Sequence, residues 1–234
     1  MRYPYIPRSV ATLLPEDMCS LFYWMPKTAG TSMRDALRGH FGSAFVMHDL
    51  QFGGRSNPAV FNPDLKCATF WHSHIPALVK SGYIKAEWVA SMFGFAFVRN
   101  PWDRMVSLFH YLRRTSFQIE LPSTFERFLE VVVGGECPRP GFKSTLGYYQ
   151  TNSLLDWLRP DGVWLPQFVG KFETLYEDWD TLSIILGLPP CLLPHCNASL
   201  HAPFREYYDA RLEALVAAYF AEEIDVFEYT FKVR

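Results

Sequence analysis

The sequence predicts an α/β fold built on a central, mostly parallel sheet. Three observations carry that prediction. Short apolar runs alternate with amphipathic segments along the chain, the pattern of strands joined by helical crossovers. The clearest run, Phe93-Gly94-Phe95-Ala96-Phe97-Val98, has no polar residue, which suits a strand covered on both faces. The 234 residues are 49% apolar and 17% aromatic, enough for a sizeable core that removes about 70% of the unfolded surface from water. No linker or fixed-period repeat divides the chain. One domain is therefore expected over 1–234, with 1–19 as an N-terminal extension and 20–234 as the working body.

The elements follow in order. Leu21-Phe22-Tyr23-Trp24-Met25 reads as a buried strand, stopped by Pro26. Thr31 or Ser32 then offers an N-cap to a helix with Met33, Ala36 and Leu37 at helical spacing. Residues 43–47 and 66–71 are the next strands. Residues 52–64 between them, rich in Gly, Asn and Pro, read as a loop. A short helix is expected over 76–82. After the central strand at 93–98, Asn100 can cap a helix and Pro101 can occupy its first turn, where the missing N–H costs nothing. That helix should bury Met105, Leu108, Phe109 and Leu112. Further helices are expected at 123–133, 145–158, 174–186 and 205–221, with a strand at 168–172.

Composition narrows the function classes. A formal charge of −2 lacks the basic excess of a general nucleic-acid binder, while leaving room for a local basic pocket. The five cysteines, Cys19, Cys67, Cys137, Cys191 and Cys196, are too scattered for a disulfide scaffold. The close pair Cys191 and Cys196 is open to three readings: free thiols, a disulfide, or half of a metal site. The stretch Met1-Arg2-Tyr3-Pro4-Tyr5-Ile6-Pro7-Arg8 has no apolar signal core. No run approaches the ~20 apolar residues of a membrane span. The expectation is a soluble, cytoplasmic protein.

Two strand–turn–helix junctions carry the chemistry. The first is Pro26-Lys27-Thr28-Ala29-Gly30-Thr31-Ser32. The first N–H groups of a helix lack internal partners and sit at the positive end of its dipole, so a phosphate or sulfate is stabilised there. Gly30 would let the backbone approach the anion, Thr31 and Ser32 add hydroxyl donors, and Lys27 adds a point charge. The triphosphatase P-loop is a different motif, with its lysine after the second glycine; here Lys27 precedes Gly30. An ordinary capped helix is the competing reading.

The second junction is Phe97-Val98-Arg99-Asn100-Pro101-Trp102-Asp103-Arg104, continuing to Ser107. Arg99 stands at the carboxyl end of the central strand, where open α/β sheets bind ligands, and can fork two N–H bonds onto a phosphate. Ser107 lies about two turns along the helix, and Arg104 shares its face. The competing reading pairs Arg99 with a structural carboxylate such as Asp103.

Together these segments resemble the two PAPS-binding elements of the carbohydrate sulfotransferase family. The resemblance extends to Val169-Gly170-Lys171-Phe172-Glu173-Thr174-Leu175 with Asp178, to Tyr207-Tyr208-Asp209, and to 225–231. It implies a P-loop-NTPase-like three-layer fold. It implies that residues 27–32 (Lys27, Thr28, Ala29, Gly30, Thr31, Ser32) cradle the 5′-phosphosulfate, while Arg99 and Ser107 hold the 3′-phosphate. PAPS would be the co-substrate and PAP the product, with no metal. Golgi members of the family are anchored, so a Golgi lumen location would require an anchor removed from this chain.

Trp71-His72-Ser73-His74-Ile75-Pro76 offers a candidate base. From the residues alone, a His-x-His pair can ligate zinc given a third ligand, or each His can be a hydrogen-bonded structural residue. The pair resembles the heparan sulfate 2-O-sulfotransferase branch, which implies His74 as base and His72 as a supporting or substrate-facing residue. A histidine with an ordinary pKa near ~6.5 suits removal of a hydroxyl proton at neutral pH. The expected reaction is in-line transfer of a sulfuryl group to a hydroxyl of a carbohydrate-type acceptor. Two rivals remain: a nucleotide or anion-binding protein of the same fold without transfer, and a kinase-like phosphotransferase, which would need Mg²⁺ ligands.

Overall fold

Five parallel strands run through the described residues of the computed structural model, which are 3–48, 64–70, 72–115, 122–133, 152–189, 193–194 and 201–232. They are β1 (Ser20–Tyr23), β2 (Phe45–His48), β3 (Cys67–Phe70), β4 (Phe93–Val98) and β5 (Phe168–Lys171), in the order β2-β3-β1-β4-β5. Each falls where the sequence predicts a strand, with no end moved by more than two residues. β1, β3 and β4 are buried along their whole length, while only Phe45 of edge strand β2 is buried. Apolar runs report burial on both faces of a parallel sheet, which is why these strands are legible.

β1 and β4 lie side by side, Ser20 opposite Phe93 and Tyr23 opposite Ala96. The chain leaves β1 toward β2 and β3 on one side, and β5 lies on the other. Such a reversal opens a crevice at the carboxyl ends of the strands. Both junctions singled out in the sequence begin at these two strand ends.

The helices are α1 (Gly30–Phe41), α2 (Ile75–Lys80), α3 (Ala86–Ala90), α4 (Pro101–Thr115), α5 (Phe125–Val132), α6 (Leu155–Leu158), α7 (Leu175–Leu186), α8 (Ala210–Tyr219) and α9 (Ala221–Val226). The helix expected over 205–221 is three pieces: a 3-10 turn at Phe204–Tyr207, then α8 and α9. Asp209 starts α8 by accepting the Leu212 N–H at 2.7 Å. Of the helix expected over 145–158, residues 145–151 lie outside the described residues, as does nearly all of the 52–64 loop.

The chain divides into two compact units, residues 3–98 with 154–197 and residues 99–153 with 198–234. The first holds the sheet. Its core joins Phe22, Phe95, Phe97 and Phe168 of the strands to Met33 and Leu37 of α1 and Trp179, Leu182 and Ile185 of α7. Asp178 fastens α7 to the end of β5, accepting the Lys171 N–H at 2.7 Å and the Thr174 hydroxyl at 2.8 Å. The N-terminal extension covers the edge of β5, where Val169 N–H donates to the Pro4 carbonyl at 2.7 Å. Covering an edge strand removes a template for unwanted pairing.

The second unit is built around α4. Met105, Leu108, Phe109 and Leu112 are all buried, as their spacing predicts. Asn100 caps the helix, its side-chain oxygen accepting the Trp102 N–H at 3.1 Å. Arg104 is fully buried. It pairs with Glu223 of α9 at 3.7 Å, donates to the Asn152 carbonyl at 3.1 Å and lies 4.9 Å from the Phe220 ring centre. It anchors the unit's interior, whereas the sequence sets it on the Ser107 face of α4.

Candidate active site

The first junction is shaped by its backbone. Lys27 and Ala29 both have positive φ, 66° and 65°, with negative values at Thr28 and Gly30 between and after them. For residues with a β-carbon this left-handed region costs about 1–2 kcal/mol each. Alternation of this kind turns successive N–H groups inward into an anion-binding concavity. Thr28 is buried and its hydroxyl donates to the Met25 carbonyl at 3.1 Å, closing the turn.

The helix start differs from the sequence reading. Ala29, not Thr31 or Ser32, is the N-cap of α1, and it provides no side-chain bond. The first intrahelical bond is Met33 N–H to the Ala29 carbonyl at 3.2 Å. The N–H groups of Gly30, Thr31 and Ser32 precede that bond, at the positive end of a 12-residue helix. An anion fits this arrangement.

The reason for a glycine at position 30 also differs. Gly30 is helical, and the unusual dihedrals fall on its neighbours. A β-carbon at residue 30 would overlap Nε1 and Cδ1 of the Trp24 indole. Gly30 is there to admit Trp24.

The histidine pair sits in the same unit. His72 has φ of 45°, and its ring centre lies 5.2 Å from that of Trp24. Burial pulls its pKa down to about 4; a hydrogen bond to the Trp24 main chain opposes the shift and the Lys27 charge adds to it. His72 is therefore neutral at physiological pH. His74 is the N-cap of α2. Its Nδ1 accepts the Ala77 N–H at 3.2 Å, and its Nε2 lies 2.8 Å from the Asp156 carbonyl oxygen. A carbonyl only accepts, so Nε2 carries the proton and both ring nitrogens are engaged. For His74 to take a proton, one of these bonds must open. Trp157, buried against the His74 ring, is a core residue.

The second junction works through side chains. Arg99 is buried after Val98, and its Nε and Nη2 both donate to Asp103 Oδ2 at 2.9 Å. The competing sequence reading, an Arg99–Asp103 pair, is thus realised. The pair fixes the plane of the guanidinium. Positions 99, 103 and 107 follow one face at steps of four, so Arg99 held on Asp103 lies on the side of α4 that carries buried Ser107.

No group of three or more His, Cys, Asp or Glu side chains is placed to hold a metal among the described residues. Cys19 and Cys67 are free thiols; Cys191 and Cys196 lie outside the described residues. None of the helices, among the described residues, is long and apolar enough to cross a membrane.

No curated protein matches the chain. Among solved structures, a sulfotransferase from Alicyclobacillus acidocaldarius is 17% identical, covering 90% of this chain and 94% of that one, with a TM-score of 0.51. A mouse sulfotransferase, SULT7A1, complexed with PAP, is 14% identical, covering 93% of this chain and 88% of that one, with a TM-score of 0.57. At these identities the likeness is one of fold, the P-loop-like α/β architecture. The family model described as "Sulfotransferase family" matches residues 19–229, running through both compact units. This chain belongs to the sulfotransferase family.

Proposed function

We propose that this sulfotransferase takes its sulfuryl group from PAPS and places it on a hydroxyl of a carbohydrate-type acceptor, by in-line displacement. The observation that carries the proposal is the left-handed loop at Lys27 and Ala29 running into the N-terminus of α1. It is a cradle for the phosphosulfate end of the donor. Arg99 and Ser107 take the 3′-phosphate. That the match spans both units supports treating 20–234 as one catalytic body. The proposal includes a cytoplasmic location, which cell fractionation tests.

In the reaction the acceptor oxygen bonds to sulfur as the bond from sulfur to the bridging oxygen breaks. PAP departs, and the hydroxyl proton passes to a histidine. Lys27 offsets charge growing on the bridging oxygen, and the N–H groups of residues 29–32 hold the phosphosulfate in line. The chain's contribution is positioning and electrostatic stabilisation, without a metal.

Likeness to the heparan sulfate 2-O branch implies His74 as base. The engagement of His74 at both nitrogens makes His72, held neutral beside the loop, the second candidate, although the burial that lowers its pKa also makes it a weaker base. Two substitutions separate the roles. Asn caps helices well, so His74→Asn should keep most turnover if His74 is a cap, with His72→Ala losing about 100-fold or more. If His74→Asn is as inactive as His74→Ala while His72→Ala turns over, His74 is the base.

The engaged state of His74 also favours a second reading, donor binding without transfer. Radiolabelled PAPS offered to glycosaminoglycan oligosaccharides, small alcohols and lipids decides between them. Label on a carbohydrate supports the proposal. Tight PAP binding with no labelled product across the panel supports the second reading.

A further inference from the structure

We infer that Trp24 is a positioning residue for sulfuryl transfer, its indole packed on Gly30 so as to hold the Lys27–Ala29 loop in its left-handed shape and tie that loop to His72. The inference rests on the reading of residues 27–32 as the donor cradle and adds a residue outside that segment.

A loop with two left-handed residues that carry β-carbons does not hold itself. Such strain persists where surrounding structure over-determines it. Thr28 supplies one constraint by bonding back to Met25. That bond fixes the start of the turn and leaves its exit into α1 unsecured. Trp24 secures the exit. It has left β1 and is no longer part of the ladder, yet it is buried, with only 4% of its surface exposed. Its indole occupies the space a β-carbon on Gly30 would need, so the first residue of α1 rests directly on the ring.

The same ring has two further neighbours. The Arg34 guanidinium, one turn into α1, lies 5.6 Å from the indole centre. The His72 ring meets it at 5.2 Å and bonds to the Trp24 main chain. One side chain thus touches the first residue of the anion-facing helix, its second turn, and a candidate catalytic histidine. Packing at this density transmits displacement: shrinking the ring frees Ala29 to return to a right-handed conformation, which turns its N–H away from the donor.

The test uses strain relief as its signature. Glycine adopts positive φ without the β-carbon penalty. PAP affinity is measured by calorimetry, with the thermal midpoint, in Trp24→Leu, Ala29→Gly and the double variant. Trp24→Leu is expected to weaken PAP about tenfold or more, equivalent to ~1.4 kcal/mol. Adding Ala29→Gly should recover most of that affinity, a rescue that loss of core packing alone would not give. If Trp24→Leu does not fold, Trp24→Phe with and without Ala29→Gly is read in the same way. Unchanged PAP affinity in the Trp24 variant, or no recovery in the double variant, overturns the inference. Lys27→Ala is the control for the underlying reading. If it turns over normally, the donor-cradle reading fails; if it is impaired while the Trp24 variant binds PAP normally, only the role of Trp24 fails.

Discussion

The two strand–turn–helix junctions proposed to hold the two ends of the donor are built by different means. The junction after β1 uses backbone: left-handed Lys27 and Ala29, and N–H groups at the start of α1. The junction after β4 uses side chains: an ordinary capped helix, a buried arginine and a carboxylate that fixes its plane. A backbone cradle has its dipoles set before the ligand arrives and is suited to charge that develops during reaction. A guanidinium fork is suited to a phosphate that stays unchanged. Under the proposed function, the first junction serves the chemistry and the second anchors the donor.

That assignment can be broken at several points. The largest expected effect is Lys27→Ala, which should lower kcat by about 10²–10³-fold while weakening PAP far less. An equal loss in both would make the first junction an anchor too. Next is Arg104→Ala. Removing one partner of a buried ion pair costs about 3–5 kcal/mol, so the thermal midpoint should fall steeply, showing that α4 is held by its buried face. A midpoint within a few degrees of the parent would contradict that. Arg99→Lys keeps the charge and loses the fork, and should weaken PAP about tenfold with kcat retained.

The last effect is on pH. The folded-state pKa of His72 is lowered by burial to about 4 from an ordinary 6.5, and burial also lowers that of His48. Between those values the unfolded chain binds more protons than the folded one. Stability is therefore fully present above about 6.5 and declines as pH falls toward 4. Denaturation midpoints measured from pH 7.5 to 4.5 should show the decline, flattened in His72→Gln.

Much of the fold was legible because burial writes itself into apolar runs. All five strands and the buried face of α4 follow from spacing, and Asn100 as a cap follows from residue type. The interior role of Arg104 was not legible, since its partner Glu223 lies over a hundred residues on. At the site, residue types announced both junctions but hid how the first is built. An alanine at positive φ looks like any alanine, and what supports it, Trp24, reads as the tail of a strand. Gly30 was noticed for freedom it does not use; the space it leaves is filled by the indole. The His-x-His pair was visible, but the engagement of His74 Nε2 depends on a carbonyl 82 residues away.

The central claim is that one bisphosphorylated nucleotide uses both junctions, with Arg99 reading its 3′-phosphate. Titration of PAP and of 5′-AMP into the parent and Arg99→Ala tests it most directly. The account expects a single site that prefers PAP in the parent, and an Arg99→Ala variant that loses about 10–100-fold in PAP affinity with 5′-AMP unchanged. Arg99→Ala binding PAP as the parent does, or losing both nucleotides equally, would contradict it.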